Sequence, residues 1–222
     1  MRAAAATLDR APPAASGIAE GAEARVLARV ADPSVGLALW RRDLMPGAAL
    51  DPWLDALPPD RLPQARFLAR LGDVAAALAP SLAGTGAPPA LMVDVVDLCA
   101  RFLAVAGGEW VDVRLEAVVG DACWKFHRDH VALRLITTYR GPGTQVVAPI
   151  DADRALAEQR RYGGPLYQMP RHAVALFKGC GPGGCDGGGV VHRSPPVAGT
   201  GAVRLVLCLN LPSAASPEAW IG

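Results

Sequence analysis

The residues best suited to chemistry are His127-Arg-Asp129, answered far downstream by His192 and then by Arg204. Two imidazoles and one carboxylate make a 2-His-1-carboxylate set. On an octahedral metal such a set leaves three positions open, an arrangement that suits Fe(II) and O₂. The chain has only four histidines, His127, His130, His172 and His192, and two of them fall in this pattern. The same three ligands with an open position also suit a catalytic zinc that activates water for hydrolysis. A protein that keeps the ligands and turns nothing over is a third reading.

These ligands need strands to hold them. From residue 109 the apolar period is two: Val111, Val113 and Leu115 alternate with Asp112, Arg114 and Glu116. Val131 to Tyr139 reads as a second strand, turned by Gly141-Pro-Gly143, and Gln145 to Pro149 as a short third. His172 to Lys178 and Val203 to Leu211 are further strands. Between them Gly179 to Gly189 holds seven glycines and must be loop. Short strands with Gly/Pro turns predict a sandwich or barrel. Residues two apart on a strand share a face, so His127 and Asp129 can hold one metal together, with His192 carried in by a later strand.

The N-terminal half reads differently. Residues 1–24 are rich in Ala, Pro and Gly without periodicity and are expected to form a flexible arm. Residues 25–108 look mainly helical. Phe67, Leu68, Leu71, Val74, Ala75 and Leu78 fall on one helical face, with Asp60 as N-cap and Pro80 as stop. Leu91, Val95, Leu98, Cys99, Phe102 and Leu103 make a second stripe, ended by Gly107-Gly108. Such stripes are too apolar to face water, so these helices should cover a sheet. Residues 25–222 are thus expected to be one α+β domain, with a helical part to 108 and a β part from 109.

Composition narrows the partners. The 22 basic and 21 acidic residues balance, which gives no electrostatic case for nucleic acid or an anionic membrane. No apolar run reaches the ~18 residues of a spanning helix, and Asp9 and Arg10 interrupt any leader-like stretch. A cytoplasmic protein is the expectation. The five cysteines are an odd number, and reduced thiols are the default. Cys180 and Cys185 could help bind zinc or form a redox pair, but even with Cys123 they fall short of the four ligands of a structural zinc site. Cys99 and Cys208 read as small buried hydrophobes. The sequence leaves the oligomeric state open.

Other residues bear on the site. His130 is adjacent to the His-x-Asp pair on the opposite strand face, which suits a supporting or surface role. His172 opens a strand and is structural or substrate-facing. Arg204 shares a face with Val206, Cys208 and Asn210, a mixed face that can line a polar cavity; Leu205, Leu207, Leu209 and Leu211 form the apolar one. A guanidinium there can fork onto a carboxylate held beside the metal, and the bland alternative is a surface arginine opening an edge strand. Tyr139 has the parity of His127 and Asp129 if its strand runs unbroken. Its hydroxyl then reaches the pocket or closes the end of the core.

The order His-x-Asp, a strand with a Gly-rich turn, Ala173-Val-Ala-Leu-Phe-Lys-Gly179, then His192 and a downstream arginine resembles the Fe(II)/2-oxoglutarate dioxygenases, above all their prolyl-hydroxylase-like branch. The likeness covers roughly residues 120–211. It implies a double-stranded β-helix, or jelly roll, with the N-terminal helices packed on its outside. It further implies Fe(II) on His127, Asp129 and His192, 2-oxoglutarate as co-substrate, and Arg204 on its distal carboxylate. The substrate would be a small molecule or a peptide. Cys123-Trp-Lys-Phe-His-Arg-Asp129, Arg134-Leu-Ile-Thr-Thr-Tyr-Arg-Gly-Pro-Gly-Thr144 and His192-Arg-Ser-Pro195 resemble, more closely still, a bacterial family catalogued as domain of unknown function 1826. That likeness spans most of the chain and implies no particular activity.

Overall fold

The period-two pattern of the C-terminal half is realised as two facing sheets. The structure is a computed structural model, and it describes residues 7–8, 17–42, 50–181 and 188–221. In chain order the elements begin with β1 (Thr7–Leu8), β2 (Ile18–Gly21), β3 (Leu37–Trp40) and α1 (Leu50–Ala56). There follow β4 (Ala65–Arg70), α2 (Val74–Leu82), α3 (Pro89–Ala106) and β5 (Trp110–Val118). Next come β6 (Leu133–Arg140), β7 (Gln145–Val146), α4 (Ala152–Glu158) and β8 (Leu166–Gln168). The chain ends with β9 (Val174–Lys178), β10 (His192–Arg193) and β11 (Arg204–Asn210).

The larger sheet has the order β2-β3-β9-β6-β11-β5-β4, and the smaller β1-β8-β7-β10. From β5 onward the chain alternates between them. It leaves β5, crosses to the smaller sheet at His127, which bridges antiparallel to His192, and returns as β6. It crosses again for β7 and β8, returns as β9, crosses for β10 and returns as β11. Pairing within the larger sheet is antiparallel throughout except for β2 on β3. This winding of eight segments into two sheets is a double-stranded β-helix.

The larger sheet separates two cores. Its outer face carries Leu115, Leu135, Leu176, Leu205, Leu207 and Leu209, packed with Leu54, Leu78, Leu98 and Phe102 from α1, α2 and α3. The helices therefore cover the outside of the roll, as their apolar stripes demand. Leu207 is fully buried there, and its truncation to Ala would cost about 2–5 kcal/mol. The inner face contributes Ile136, Ala175, Phe177 and Val206, which meet Val146, Tyr167 and Met169 of the smaller sheet. α3 follows the predicted stripe and ends where expected. Gly107 adopts φ +77° and returns its N–H to the Leu103 carbonyl.

The N-terminal half departs from the expectation in several places. Ala65–Arg70 is an edge strand paired with β5, not the start of a helix; α2 begins only at Val74. Phe67 and Ala69 are buried while Arg66, Leu68 and Arg70 are not, so the period is two. Overlap of the two periods at Phe67 and Leu71, continued by Val74 of α2, produced the helical reading. Asp60 sits in a 3-10 turn, Pro59–Arg61, and α2 continues past Pro80 to Leu82. The segment before residue 25 is not simply an arm either. β2 pairs parallel with β3, and Thr7–Leu8 pairs parallel with β8, so part of it extends the sheets. The other residues before 17 lie outside the described ones. Likewise 25–108 is mixed rather than helical, because β3 and β4 extend the larger sheet at its two sides.

Candidate metal centre

The crossing that links the sheets builds the site. His127 and His192 exchange backbone hydrogen bonds, N–H to carbonyl, at 3.0 and 3.1 Å. That antiparallel bridge sets their rings side by side, centroids 4.6 Å apart. Asp129 follows in irregular backbone rather than on a strand. The chain is held there by the Cys180 N–H on the Asp129 carbonyl at 2.7 Å and the Gly179 N–H on the Ala132 carbonyl at 3.1 Å. A Cβ on Gly179 would fall on the Val131 and Asp129 carbonyl oxygens, so only glycine permits this approach.

One ligand atom from each of His127, Asp129 and His192 lies within 4.8 Å of the others. Nε2 of His127 is 3.7 Å from Asp129 Oδ1, and Nε2 of His192 is 3.5 Å from Asp129 Oδ2. Both rings are oriented from behind. His127 Nδ1 lies 2.8 Å from the Lys125 carbonyl, and His192 Nδ1 lies 3.0 Å from the Val190 carbonyl. A carbonyl only accepts, so each Nδ1 carries the proton and each Nε2 presents a lone pair to the centre. Burial pushes the His192 imidazole down to about 4, so it is neutral at ordinary pH. Phe177 stacks against its other side at 4.7 Å.

Asp129 supplies the test of fit. Arg134 donates from Nη1 to Oδ1 and from Nε to Asn210 Oδ1 at 2.8 Å. Asp129 Oδ2 is buried without any hydrogen-bond partner. A buried carboxylate oxygen left bare is costly unless something else binds it. Two imidazole lone pairs and that oxygen turn toward one another, which fits a divalent metal.

Arg204 reaches the same cavity, a space of about 120 Å³ also lined by His127, His192, Arg134 and Cys208. It is 1% exposed. Its guanidinium donates to the Pro142 carbonyl at 2.7 Å, Ser194 Oγ at 2.6 Å and Thr144 Oγ1 at 3.3 Å. All three acceptors are neutral, and burial pushes the group down to about 10. Among the described residues no carboxylate pairs with it. The backbone beneath is fixed by Gly141, φ +77°, where a Cβ would collide with the Val203 carbonyl.

Tyr139 is not in this cavity. The chain between Asp129 and β6 is bent, not extended, so the parity argument loses a step; Arg134, Ile136 and Thr138 face inward and Tyr139 outward. Its hydroxyl donates to Asp94 Oδ2 on α3 at 2.6 Å. Burial and that carboxylate raise the phenol well above its ordinary value. His172 also lies behind the sheet, with Nε2 2.7 Å from Asp51 Oδ1. His130 is exposed.

The sequence reading missed Arg134, Ser194 and Thr144. Ser194 was legible: it stands two residues after His192, on the same side of that short strand. Arg134 was hidden because β6 lacks alternation. Cys208 lines the cavity, and burial holds its thiol up at about 11. Cys99 is buried in the outer core. Cys180 is disulfide-bonded, which departs from the default of reduced thiols; Cys185 lies outside the described residues.

The family profile described as "Protein of unknown function (DUF1826)" matches residues 21–210. The chain belongs to this family. No curated protein matches the chain. Among solved structures it is similar to the rice dioxygenase for auxin oxidation, at 16% identity and TM-score 0.47, covering 90% of this chain and 86% of that one. Dioxygenase for auxin oxidation 1 from Arabidopsis thaliana, in its 2-oxoglutarate complex, is similar at 11% identity and TM-score 0.47, with 91% and 95% covered. A Pseudomonas putida prolyl-4-hydroxylase is similar at 12% identity and TM-score 0.42, with 84% and 96% covered. Among the described residues no helix is long and apolar enough to cross a membrane.

Proposed function

We propose that this DUF1826 protein is a non-haem Fe(II)- and 2-oxoglutarate-dependent oxygenase. The carrying observation is the pairing of two features in one cavity: a bare three-ligand set, and a buried arginine whose hydrogen bonds all go to neutral oxygens. The set suits a metal that must keep open positions. The arginine suits a carboxylate brought in from solution, because guanidinium and carboxylate match in charge and planar geometry. A zinc hydrolase would use the first feature, and the second only if its own substrate carried a carboxylate.

His127, Asp129 and His192 would hold the metal through Nε2, a carboxylate oxygen and Nε2. When bound, Fe(II) supplies the reactivity that couples O₂ and 2-oxoglutarate to oxidation of a substrate C–H bond, giving succinate, CO₂ and an alcohol. The protein's own residues position and exclude. The Lys125 and Val190 carbonyls keep both imidazoles in the tautomer that offers Nε2. Arg134 holds Asp129 Oδ1, which leaves Oδ2 to the centre. Ser194 and Thr144 fix the Arg204 guanidinium, so it is oriented before the distal carboxylate of 2-oxoglutarate arrives. Val206 and Ile136 line the cavity with apolar surface and limit water.

The test is anaerobic addition of Fe(II) and then 2-oxoglutarate to metal-free protein, followed by O₂ in solution. A visible charge-transfer absorption that needs both, and then succinate formation, support the reading. Tight zinc with no 2-oxoglutarate binding sinks it.

A further inference from the structure

The three ligands are not equally accessible. The side chains of Asp129 and His192 are each 4% exposed, and that of His127 is 34% exposed. The centre therefore opens on the His127 side. The irregular segment between β5 and His127 forms the lip of that opening. Val118, Ala122 and Cys123 line the metal cavity. Cys123 and His127 also line a shallow outer pocket with Asp121, Trp124 and Lys125. The two hollows thus share His127 as a common wall.

The outer pocket has a definite chemistry. Trp124 is half-buried, and the Arg160 guanidinium lies 4.1 Å from its ring centre. The Lys125 ammonium lies 5.7 Å from the same ring. Arg160 reaches Asp121 only at 3.8 Å, and Asp121 Oδ1 already accepts from the Ala198 N–H at 2.9 Å. Among the described residues Lys125 pairs with no carboxylate. Inside the cavity Arg134 is matched by Asp129 and Arg114 by Glu116, while Arg204 is the cation reserved for the co-substrate in the reading above. Lys125 is also tied to the centre, since its carbonyl accepts from His127 Nδ1. An indole flanked by two cations favours a ligand that combines an anionic group with an apolar or planar body.

We propose that Trp124, Lys125 and Arg160 form the substrate-recognition wall of the site, and that the substrate is a small organic anion whose carboxylate or phosphate meets the two cations while its apolar body lies on Trp124 toward His127. This rests on the metal-centre reading above and names the substrate class for it.

The experiment is calorimetric titration of the full-length protein with benzoate, phenyl phosphate and the neutral benzyl alcohol. Each is run on metal-free protein and again with Mn(II) and 2-oxoglutarate present. Wild type should bind the anions at least about tenfold more tightly than the alcohol. Lys125→Met and Arg160→Met should each weaken the anions about tenfold and leave the alcohol unchanged. Trp124→Leu should weaken all three, with Trp124→Phe restoring most of the loss. Preference for phenyl phosphate over benzoate identifies a phosphate substrate, and the reverse a carboxylate; both support the wall. Equal binding by wild type and both methionine variants overturns it, and so does the absence of binding of any probe to wild type. The metal-free arm reads this wall without turnover, so absent succinate formation would sink the oxygenase reading and leave this one standing.

Discussion

Two carboxylates, Asp129 buried and Asp94 half-buried, sit on opposite faces of the same sheet and are treated in opposite ways. Asp94, behind the sheet on α3, is saturated. Arg42 donates to both of its oxygens, and the Tyr139 hydroxyl adds a third bond. Asp129, in front of it, has an arginine on one oxygen and nothing on the other. The same contrast separates Tyr139 from Arg204, the two residues that the sequence offered for the co-substrate. Tyr139 has a protein carboxylate as partner, while Arg204 has only neutral oxygens. Burial of a charge is therefore a poor guide to function, and the unfilled valence is a better one. A closed network binds helix to sheet, whereas an open one waits for a ligand.

Removing one carboxylate at a time should break the two networks differently. Asp129→Ala takes away the ligand that joins the two histidines. Divalent metal affinity, titrated with Mn(II), should fall by more than ~100-fold, since loss of a mere supporting partner already costs about 10–100-fold. The fold should persist. Asp94→Ala should leave metal affinity unchanged and strand the Arg42 guanidinium, whose side chain is only 7% exposed. Breaking a buried pair from one side costs about 3–5 kcal/mol, to be read from denaturant unfolding. If the first variant unfolds, or the second loses metal, the division of labour between the faces is wrong.

Arg204→Lys sharpens the comparison at the co-substrate. The charge stays, but the planar fork on Ser194, Thr144 and the Pro142 carbonyl is lost. Affinity of the Fe(II) protein for 2-oxoglutarate should fall about ten- to a hundredfold, roughly 1.5–3 kcal/mol, with metal affinity intact. Tyr139→Phe is its mirror. It should cost about 1.5–3 kcal/mol of stability, as a buried hydrogen bond to a charged acceptor does, and should not change 2-oxoglutarate binding. A Tyr139→Phe protein with weakened 2-oxoglutarate binding would return Tyr139 to the site.

What the sequence disclosed follows the same line. The candidate ligand set was legible because two of only four histidines, His127 and His192, fall in one pattern with Asp129. The helix α3 was legible because its stripe runs from Leu91 to Leu103 without interruption. The inward face of β11 was legible because Arg204, Val206, Cys208 and Asn210 alternate with leucines. β4 was not, because six residues with apolar positions at Phe67 and Ala69 satisfy either period once Leu71 and Val74 are added. Tyr139 was misplaced because parity survives only in unbroken strand, and the bend that brings Asp129 beside His127 and His192 breaks it. Arg134 was missed for a related reason: β6 is covered on both faces, so its sequence does not alternate.

The smallest expected effect separates the two buried histidines that titrate low. His172 has its Nε2 engaged by Asp51 and its Nδ1 buried without a partner. A second proton would have to enter at Nδ1, in a place that offers no acceptor. Burial accordingly lowers its folded pKa below the ordinary 6.5, despite the opposing pull of Asp51. The sign of the linkage follows. The unfolded chain takes up a proton near pH 6.5 and the folded one only at lower pH, so the unfolded state binds more protons between those two values. Unfolding free energy should therefore fall as pH drops below about 6.5 and level off below the folded pKa. His172→Gln keeps a hydrogen-bond donor toward Asp51 and cannot titrate. Its stability should show a shallower decline over that window, measured by urea unfolding at successive pH values on metal-free protein. His192 titrates in the same free protein, but its share is common to wild type and His172→Gln, so the difference between the two slopes reports His172 alone. An identical slope in wild type and His172→Gln, both metal-free, would remove His172 from the rear network's pH response.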